Sequence, residues 1–394
     1  MIEFTSEEIQ ILKDKGLYRT FRVFEKPQGP KCVLDGKEVI LLCSNDYLGL
    51  ANHPKIREAA KKAIDEFGFG SGASRLVSGT RRPHIELEKR IAEFKGTEAA
   101  LLFNSGYAAN TGIITAIAGR EDSIYSDRLN HASIVDGCIL SRANVKRYRH
   151  HDSAHLDKLL RSSLHEETND KKKLIVTDGV FSMDGDVAPL DDIIRVKEIH
   201  NAILMLDDAH GTGVLGKNGT GTAELMGVDG EEIDIHMGTL GKALGSCGAY
   251  VAGKKEMIEY LVNTVRPLIF STALPPAAAA AACAAIDIVE YEPERRVALT
   301  EKSSYLRKNL RNLGYETMNS VTQIIPVLTG ESDTAVEMMD GLLEKGIFVQ
   351  AIRPPTVIEG TARLRVTVTS EHSYDDLDYV LQSFKQVGEK TGLI

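Results

Sequence analysis

Lys242 and the acidic segment upstream of it are the residues whose types and spacing could do chemistry. Lys242 stands among small residues in segment 237–245, and the apolar run 203–206 ends directly in Asp207, with His210 three residues on. A lysine that loses its hydration becomes a neutral amine nucleophile. An acid and a histidine at the end of a neighbouring strand can hold a heteroaromatic ring over that amine. Together the segments predict a Schiff base between Lys242 and pyridoxal phosphate (PLP), with Asp207 paired to the ring nitrogen.

Residues 211–216 fit the glycine pattern G-x-G-x-x-G, which leads to a different class of function. In dinucleotide-binding proteins that pattern begins directly after a strand and opens a helix. Here residues 207–210 separate the apolar run from the first glycine, and residues 216–221 are rich in turn formers. A nicotinamide-dependent dehydrogenase is therefore the different-class alternative, and the spacing disfavours it.

Length, charge and cysteine usage limit the classes of protein. The chain has 394 residues, a formal net charge of -9 and 26% charged residues, which is ordinary for a globular protein of about two to three domains. The acidic balance disfavours nucleic acid or an anionic membrane as the main partner. The five cysteines form no C-x-x-C pair, and segment 1–10 has no apolar stretch. We therefore expect a cytoplasmic protein without a secretory signal.

The order of apolar and helical segments predicts an α/β protein in three parts. Residues 1–45 form an N-terminal arm, 46–285 a large cofactor-binding domain and 286–394 a smaller α+β domain. In the large domain, short apolar runs alternate with helical segments, which indicates a mostly parallel sheet covered on both faces. Residues 274–289 are too short and too rich in alanine to span a membrane, and predict a buried helix.

Further polar residues fall where ligands bind in parallel α/β sheets, beyond the carboxyl ends of the strands. Gly106 and Tyr107 follow the apolar run 99–103 and open a helix whose free N–H groups suit a phosphate. His131 could stack on a cofactor ring, and Ser182 could bond the phenolic oxygen of that ring. Each of these residues also has an ordinary interpretation as a turn or loop residue.

Arg363 and Arg365 alternate with apolar residues and so share one face of a predicted strand. Guanidinium groups bind carboxylates in a bidentate manner, so one of the two could anchor a substrate carboxylate. The ordinary alternative is a solvent-exposed strand edge. Asp207 and His210 lack a third metal ligand of suitable spacing, and residues 150–152 are interpreted as a polar loop, so no metal site is predicted.

Taken together, six segments resemble the α-oxoamine synthases, which are PLP enzymes of the aspartate-aminotransferase fold (fold type I). The resemblance covers nearly the whole chain in the family's order. The matching segments are Ser44-Asn-Asp-Tyr-Leu-Gly49, Ser105-Gly-Tyr-Ala-Ala-Asn110, Asn130-His-Ala-Ser133, Asp178-Gly-Val-Phe-Ser-Met-Asp-Gly185, Asp207-Asp-Ala-His-Gly-Thr-Gly213 and Gly238-Thr-Leu-Gly-Lys242.

The resemblance implies a role for each matching residue that faces the cofactor. Lys242 carries PLP, Asp207 pairs with the ring nitrogen, and His131 stacks on the ring. His210 and Ser182 lie near the phenolic oxygen. The catalytic set that it implies is Lys242, His131, Asp207 and His210, and the further cofactor contacts are Gly106, Tyr107, Ser182, Thr239, Ser271 and Thr272.

The resemblance also implies which residues meet the substrates. Asn45 and Arg365 orient the carboxylate of the amino acid. An N-terminal arginine contacts the acyl donor; Arg19 and Arg22 both fit, and Arg19 is preferred. The substrate-binding set is therefore Arg19, Asn45, His131, Thr356 and Arg365.

Within the family, segments 352–357 and 360–365 are similar to the members that condense L-alanine with a pimeloyl thioester in biotin biosynthesis. The alternative is the condensation of glycine with acetyl-CoA. The acyl carrier is coenzyme A or acyl-carrier protein. Segment 270–276 resembles the part that reaches the partner subunit's phosphate, so the resemblance implies a homodimer with shared active sites.

Overall fold

The computed structural model describes residues 3–14, 17–162 and 172–394. Its strands are short, and most of their residues are buried. They are β1 (Lys31–Leu34), β2 (Lys37–Leu41), β3 (Ala99–Phe103), β4 (Ser123–Asp127), β5 (Asn144–Tyr148), β6 (Lys173–Asp178), β7 (Ile203–Asp207), β8 (Ile235–Thr239), β9 (Ala249–Gly253), β10 (Ile324–Gly330), β11 (Ile347–Phe348), β12 (Gln350–Ile352) and β13 (Ala362–Thr367).

The helices alternate with the strands over most of the chain. A π-helical turn at Arg75–Gly79 and a 3-10 turn at Gly230–Glu232 add to them. The α-helices are α1 (Glu3–Asp14), α2 (Pro54–Phe67), α3 (Arg82–Lys95), α4 (Gly106–Ile117), α5 (Ala132–Ser141), α6 (Ser153–Ser162), α7 (Leu190–His200), α8 (Thr222–Met226), α9 (Lys255–Thr264), α10 (Arg266–Ile269), α11 (Pro276–Tyr291), α12 (Glu294–Asn312), α13 (Ser332–Glu344) and α14 (Tyr374–Thr391).

A seven-stranded sheet forms the centre, in the order β3-β9-β8-β7-β6-β4-β5. The pairs from β8 to β5 are parallel, and β9 runs antiparallel to both β3 and β8. The predicted mostly parallel sheet and the α/β class are therefore confirmed. The alanine-rich segment predicted as a buried helix is α11, whose alanines pack against α2 and α3.

The large sheet is covered on both faces because successive side chains of a strand point in opposite directions. In β6, Leu174 and Val176 join the core cluster on one side, together with apolar residues of α4, α9 and α10. Ile175 joins the cluster on the opposite side, with residues of α6 and α7. This burial on both faces explains why the strands read as continuous apolar runs. None of the helices in the described ranges has the length and apolar content to cross a bilayer.

Two small three-stranded sheets complete the fold. One has the order β10-β13-β12, and the other has the order β1-β2-β11, in which β2 and β11 are parallel. β1 and β2 belong to the segment predicted as an arm, so that segment pairs with strands of the C-terminal part. The two domain boundaries stay predictions. Because α11 runs through residue 285, we propose that the second boundary lies at Glu292 and Pro293, between α11 and α12.

Two glycine-rich turns position the chain near the sheet edge. Residues 211–219 form turns and bends, so the glycine pattern at 211–216 does not open a helix as a dinucleotide fingerprint requires.

Gly185 has φ of 69°, and a Cβ there would lie 2.0 Å from the carbonyl oxygen of Ile324. Thr322 donates to the Gly185 carbonyl at 2.9 Å. The loop after β6 is therefore held against the start of β10.

A buried ion pair lies behind the carboxyl edge of the sheet. Nζ of Lys95, the last residue of α3, is 3.4 Å from a carboxylate oxygen of Asp208, and both side chains are buried. The hydroxyl of Thr222 donates to the same carboxylate at 2.6 Å. Because the neighbouring residue is Asp207, this pair anchors the turn that carries a predicted cofactor ligand.

Lys95→Met should therefore lower the free energy of unfolding by about 3–5 kcal/mol, because it leaves the buried Asp208 carboxylate without its counter-charge. Urea unfolding followed by far-UV circular dichroism measures this loss. Lys89→Met on the exposed face of the same helix is the matched control and should cost less than about 1 kcal/mol. Equal losses in the two variants would contradict a structural role for the ion pair.

Candidate active site

The carboxyl ends of three adjacent parallel strands meet at one edge of the large sheet. Asp178, the last residue of β6, stands in register with Asp207, the last residue of β7. Asp207 stands in register with Met237 of β8, and Lys242 follows that strand in a tight turn closed by Gly245. The topology thus brings residues 178, 207 and 242 together, although they are far apart in the sequence.

The amine of Lys242 lies in a confined polar setting beside a cavity of about 420 Å³. Its Nζ is 2.7 Å from Nε2 of His210. Burial lowers the pKa of Lys242 from 10.5 to about 8, although the carboxylates of Asp207 and Asp178 act in the opposite direction. Near neutral pH, the uncharged fraction of this amine therefore far exceeds that of a solvated lysine. The uncharged form is the one that attacks a carbonyl carbon.

Asp207 is buried, and the surrounding groups orient its carboxylate. One oxygen accepts a hydrogen bond from Nδ2 of Asn110 at 2.7 Å, and the other accepts from the backbone N–H of Ala209 at 3.0 Å. Asn110 also donates to the hydroxyl of Ser133 at 2.8 Å. The sequence prediction did not assign a role to Asn110, although it closes one of the matching motifs.

His131 caps the N-terminus of α5 at the same edge. Its Nδ1 is 2.8 Å from the hydroxyl of Ser133, and its backbone N–H donates to Asp178 at 2.7 Å. Burial, together with the nearby charge of Asp207, raises the pKa of Asp178 well above its usual value. The sequence prediction did not assign a role to Asp178, although this residue opens one of the matching segments, because an acid at the end of a strand is common in turns.

His210 links Lys242 to a residue that the sequence prediction missed. The hydroxyl of Tyr47 is 2.6 Å from Nδ1 of His210, on the ring side opposite Lys242. Burial and the charges of Lys242 and Arg365 hold the pKa of His210 well below 6.5, so the imidazole is neutral. Tyr47 lies inside the matching segment 44–49, from which only Asn45 was assigned a role.

Arg365 and Arg363 come from β13, the central strand of a small sheet, and both are buried. Nη2 of Arg365 donates to Oδ1 of Asn45 at 3.1 Å, and its Nε donates to the carbonyl of Ser182 at 2.6 Å. Arg363 pairs with Asp184 at 2.5 Å. The alternative of an exposed strand edge is therefore wrong, because β10 and β12 flank β13 and the loop after β6 covers the arginines.

Three predicted cofactor contacts have other partners in the structure. The backbone carbonyl of Ser182 accepts a hydrogen bond from Nε of Arg365. The hydroxyl of Thr239 donates to the carbonyl of Gly248 at 3.1 Å and accepts the N–H of Gly241 at 3.3 Å. Tyr107 is exposed, and its hydroxyl donates to Asp136. Their predicted cofactor contacts stay predictions.

Ser271 and Thr272 lie beside the start of α4 in the same chain. The carbonyl of Thr272 accepts a hydrogen bond from Asn104 at 2.6 Å, directly before Ser105, which caps α4. Thr272 also pairs with Ser74 in an isolated β-bridge. The segment is thus close to the helix that is predicted to bind the phosphate, and its predicted contact with a partner subunit stays a prediction.

Arg19 and Thr356 line a separate cavity of about 490 Å³, which Arg22 and Arg353 also border. Arg22 lies 3.9 Å from Asp35 in an exposed ion pair. The structure therefore brings Arg19 and Thr356, which are predicted to bind the substrates, to one cavity. Lys242 is not among the residues that line this cavity. The ion pair at Arg22 favours Arg19 as the arginine that meets the acyl donor.

The histidines at 150–151 form a polar cluster beside the edge. The two ring nitrogens of His150 lie 3.1 Å from Asp127 and 3.0 Å from Asp186. These bonds raise the pKa of His150 to about 9, against the effect of its burial. Among the described residues, His150, His151 and Asp186 are the group whose spacing could hold a metal ion. Because a protonated His150 already bridges two carboxylates, we interpret the cluster as an ion-pair network.

Comparison with known families decides among the interpretations of this geometry. A family model described as aminotransferase class I and II matches residues 37–384, which is most of the chain. The chain belongs to this family.

Full-length relatives narrow the position within the class I and II aminotransferase family. The 8-amino-7-oxononanoate synthase of Geotalea daltonii is 55% identical to this chain, and the alignment covers 98% of this chain and 98% of that synthase. A structure of SPT with a PLP internal aldimine has a TM-score of 0.92 at 34% identity, with 99% of this chain and 98% of that chain covered. The serine palmitoyltransferase of Sphingomonas wittichii has a TM-score of 0.92 at 35% identity, with 100% and 98% covered. The resemblance to the α-oxoamine synthases is confirmed.

The lowered pKa of Lys242 predicts its reactivity in this family member. In the cofactor-free protein, labelling of Lys242 by an amine-reactive reagent should rise with pH and reach its midpoint near pH 8. The sign follows from deprotonation, because only the neutral amine reacts. Peptide mass mapping over a pH series measures it. Exposed lysines in the same digest serve as the reference, since solvated lysines titrate at about pH 10.4. If Lys242 had the same labelling midpoint as those lysines, burial would not lower its pKa, and the prediction would be wrong.

Proposed function

We propose that this chain is a PLP-dependent acyltransferase that condenses L-alanine with a pimeloyl thioester, releasing carbon dioxide and forming 8-amino-7-oxononanoate in biotin biosynthesis. Curated relatives from 55% down to 46% identity over the full length carry the name of that activity. The observation that carries the proposal is a largely buried amine and a buried carboxylate that follow and end two neighbouring strands of the family's sheet, β8 and β7.

The residues of the site fit PLP in three respects. The pKa of the Lys242 amine is lowered, and Lys242 lines a cavity. Asp207 is buried and oriented by two donors, as a partner for a protonated ring nitrogen requires. The N-terminus of α4 begins at Gly106, where a Cβ would approach Met237 to 3.0 Å, and its N–H groups suit a phosphate. We assign these three elements to the aldehyde, the ring nitrogen and the phosphate of the cofactor.

The cofactor and the protein divide the chemistry. When bound, PLP supplies an aldehyde that condenses with amines and a ring that accepts the electron pair of a bond broken at the attached carbon. Asp207 holds a negative charge beside the ring nitrogen and so favours its protonated form. Lys242, whose pKa is near that of the medium, accepts the proton removed from the α-carbon of the amino acid. With the cofactor bound, His131 would cover the ring, and His210 and Ser182 would lie near its phenolic oxygen.

Arg365 and Asn45 orient the substrate. Their side chains are 3.1 Å apart, and Arg365 is anchored by the carbonyl of Ser182. A guanidinium held in this way binds the carboxylate of alanine and fixes the direction of the bonds at the α-carbon. The rate of bond cleavage depends on that direction, so precise positioning matters more here than binding strength.

The acyl donor binds in the cavity that Arg19 and Thr356 line. A cavity of this size accepts an extended thioester chain, and an arginine at its border suits the free carboxylate of a pimeloyl group. The carrier is coenzyme A or acyl-carrier protein.

The active enzyme is a homodimer with active sites at the subunit interface. Supporting this proposal, exposed apolar side chains lie close to the segment of Ser271 and Thr272: Leu76, Val77 and Phe270 are 55%, 80% and 70% exposed. The π-helical turn that carries the first two packs against α10, which precedes Phe270. Exposed apolar patches of this kind mark interaction sites. Five free cysteines support a cytoplasmic location.

The substrate pair tests the proposed function directly. With PLP, the purified enzyme should turn over L-alanine plus pimeloyl-CoA at least about tenfold faster than glycine plus acetyl-CoA. The two rates are measured as free thiol released and as product formed, the latter by mass spectrometry. Arg19→Ala should raise KM for pimeloyl-CoA and leave that for alanine nearly unchanged, because Arg19 borders only the acyl cavity. Faster turnover of glycine with acetyl-CoA would replace the proposal with glycine C-acetyltransferase activity.

Asp207→Asn tests the partner of the ring. The variant should still bind PLP but lose about 10²–10³-fold in kcat, the scale for removing one preorganised electrostatic partner. Steady-state kinetics and the PLP content of the purified protein measure the two effects separately. Asp191→Asn, an exposed acid in the first turn of α7, is the control and should keep normal turnover. Near-normal kcat in Asp207→Asn would contradict the assigned role.

A further inference from the structure

Four side chains form a continuous row of hydrogen bonds through the site. The distances and the atom types in this row indicate which group donates in each bond. Arg365 lies at one end, 3.5 Å from the hydroxyl of Tyr47. Tyr47 is 2.6 Å from Nδ1 of His210, and Nε2 of His210 is 2.7 Å from the amine of Lys242. The row joins the predicted carboxylate anchor to the predicted nucleophile, across the boundary between β13 and the large sheet.

The distance between Tyr47 and His210 identifies the donor. At 2.6 Å, the contact is shorter than the usual range of N–H···O bonds, about 2.7–3.2 Å, which disfavours the ring N–H of His210 as the donor. The competing acceptor, Oδ1 of Asn45, is farther from the hydroxyl, at 3.0 Å, and already receives a hydrogen bond from Arg365. Tyr47 therefore donates to Nδ1 of His210.

The remaining protons follow from the ends of the row. A guanidinium can only donate, so the oxygen of Tyr47 is the acceptor of the contact with Arg365. His210 is neutral and accepts at Nδ1, so its single ring proton lies on Nε2. That nitrogen faces Lys242, whose amine accepts with its lone pair in this arrangement and is then uncharged, the form that prevails above its pKa of about 8.

We propose that Tyr47 is a positioning residue that fixes the ring proton of His210 on Nε2 and thereby couples the charge state of Lys242 to Arg365. This inference deepens the proposed function and rests on it only through the role of Arg365 in binding the amino acid. The fixed proton also gives His210 a donor to offer the phenolic oxygen of the cofactor. A change of partners at Arg365 on substrate binding is transmitted to the base, Lys242, through three hydrogen bonds.

Several charged groups besides this row face the amine of Lys242, and each comes from a different element. Their charges set the baseline on which Tyr47 acts, so a variant of Tyr47 must leave them in place. They are the carboxyl groups of Asp178 at the end of β6 and Asp207 at the end of β7, and the imidazole of His131 before α5; Arg365 is the cation of the row itself.

The first test needs no variant. The full-length protein labelled with ¹⁵N-histidine and freed of PLP gives ring nitrogen signals whose chemical shifts distinguish a protonated from an unprotonated nitrogen. The signals of His210 are assigned by their loss in His210→Asn. The proposal expects the proton on Nε2 and an acceptor at Nδ1. A proton on Nδ1 overturns it.

The second test removes one oxygen atom. In Tyr47→Phe, the ring proton of His210 is free to leave Nε2, which then accepts from the ammonium form of Lys242. The pKa of Lys242, measured by pH-dependent labelling, should rise by about one unit. Tyr315→Phe is the matched control, since it removes another buried hydroxyl, bonded at 2.7 Å to the carbonyl of Phe384, and should leave the Lys242 pKa unchanged.

An unchanged pKa of Lys242 in Tyr47→Phe, with an unchanged His210 proton, overturns the coupling. Both measurements use cofactor-free protein and no turnover, so they are separate from the assay of substrates. If alanine and pimeloyl-CoA fail to react while the proton lies on Nε2 and Tyr47→Phe raises the Lys242 pKa, the coupling stands and the proposed substrates are wrong.

Discussion

The removal of one amine from water is the constraint on which the rest of this site depends. The carboxylates of Asp207 and Asp178 lie near Lys242 and favour its charged form, but burial still lowers the pKa of this lysine to about 8. Burial therefore exceeds the attraction of the carboxylates. The result is an amine that is available as a nucleophile and also able to accept a proton near neutral pH. A more exposed position would lose this property without any change in the neighbouring side chains.

The fold supplies this setting through the parallel sheet. Three strand ends place Asp178, Asp207 and Lys242 at one edge, where apolar strands on both sides exclude water. The small sheet then closes the edge by bringing Arg365 against the loop after β6. Because the arginine and the lysine come from different sheets, the site requires the packing between them. The ion pair of Lys95 and Asp208 anchors the turn directly behind it.

Much of this arrangement was predictable from the sequence because polar residues follow apolar runs, and parallel strands share one functional edge. That rule located Asp207 and Lys242 and gave the mostly parallel sheet. It could not locate Tyr47 or Asn110, whose contacts depend on how distant segments meet in space. The burial of Arg363 and Arg365 was also hidden, since alternation of apolar and charged residues describes one face of a strand and not what covers it. The turn-rich glycine segment was predictable because glycine and asparagine report local backbone conformation.

The central claim is that the confined amine of Lys242 is the site at which PLP binds covalently. The most direct measurement is reduction of the PLP-loaded protein with borohydride, followed by peptide mass mapping, with Lys242→Ala treated in parallel. The account predicts one pyridoxyl label per chain, on Lys242, and no label in the variant. A label on a different lysine, or equal labelling of the variant, would contradict it.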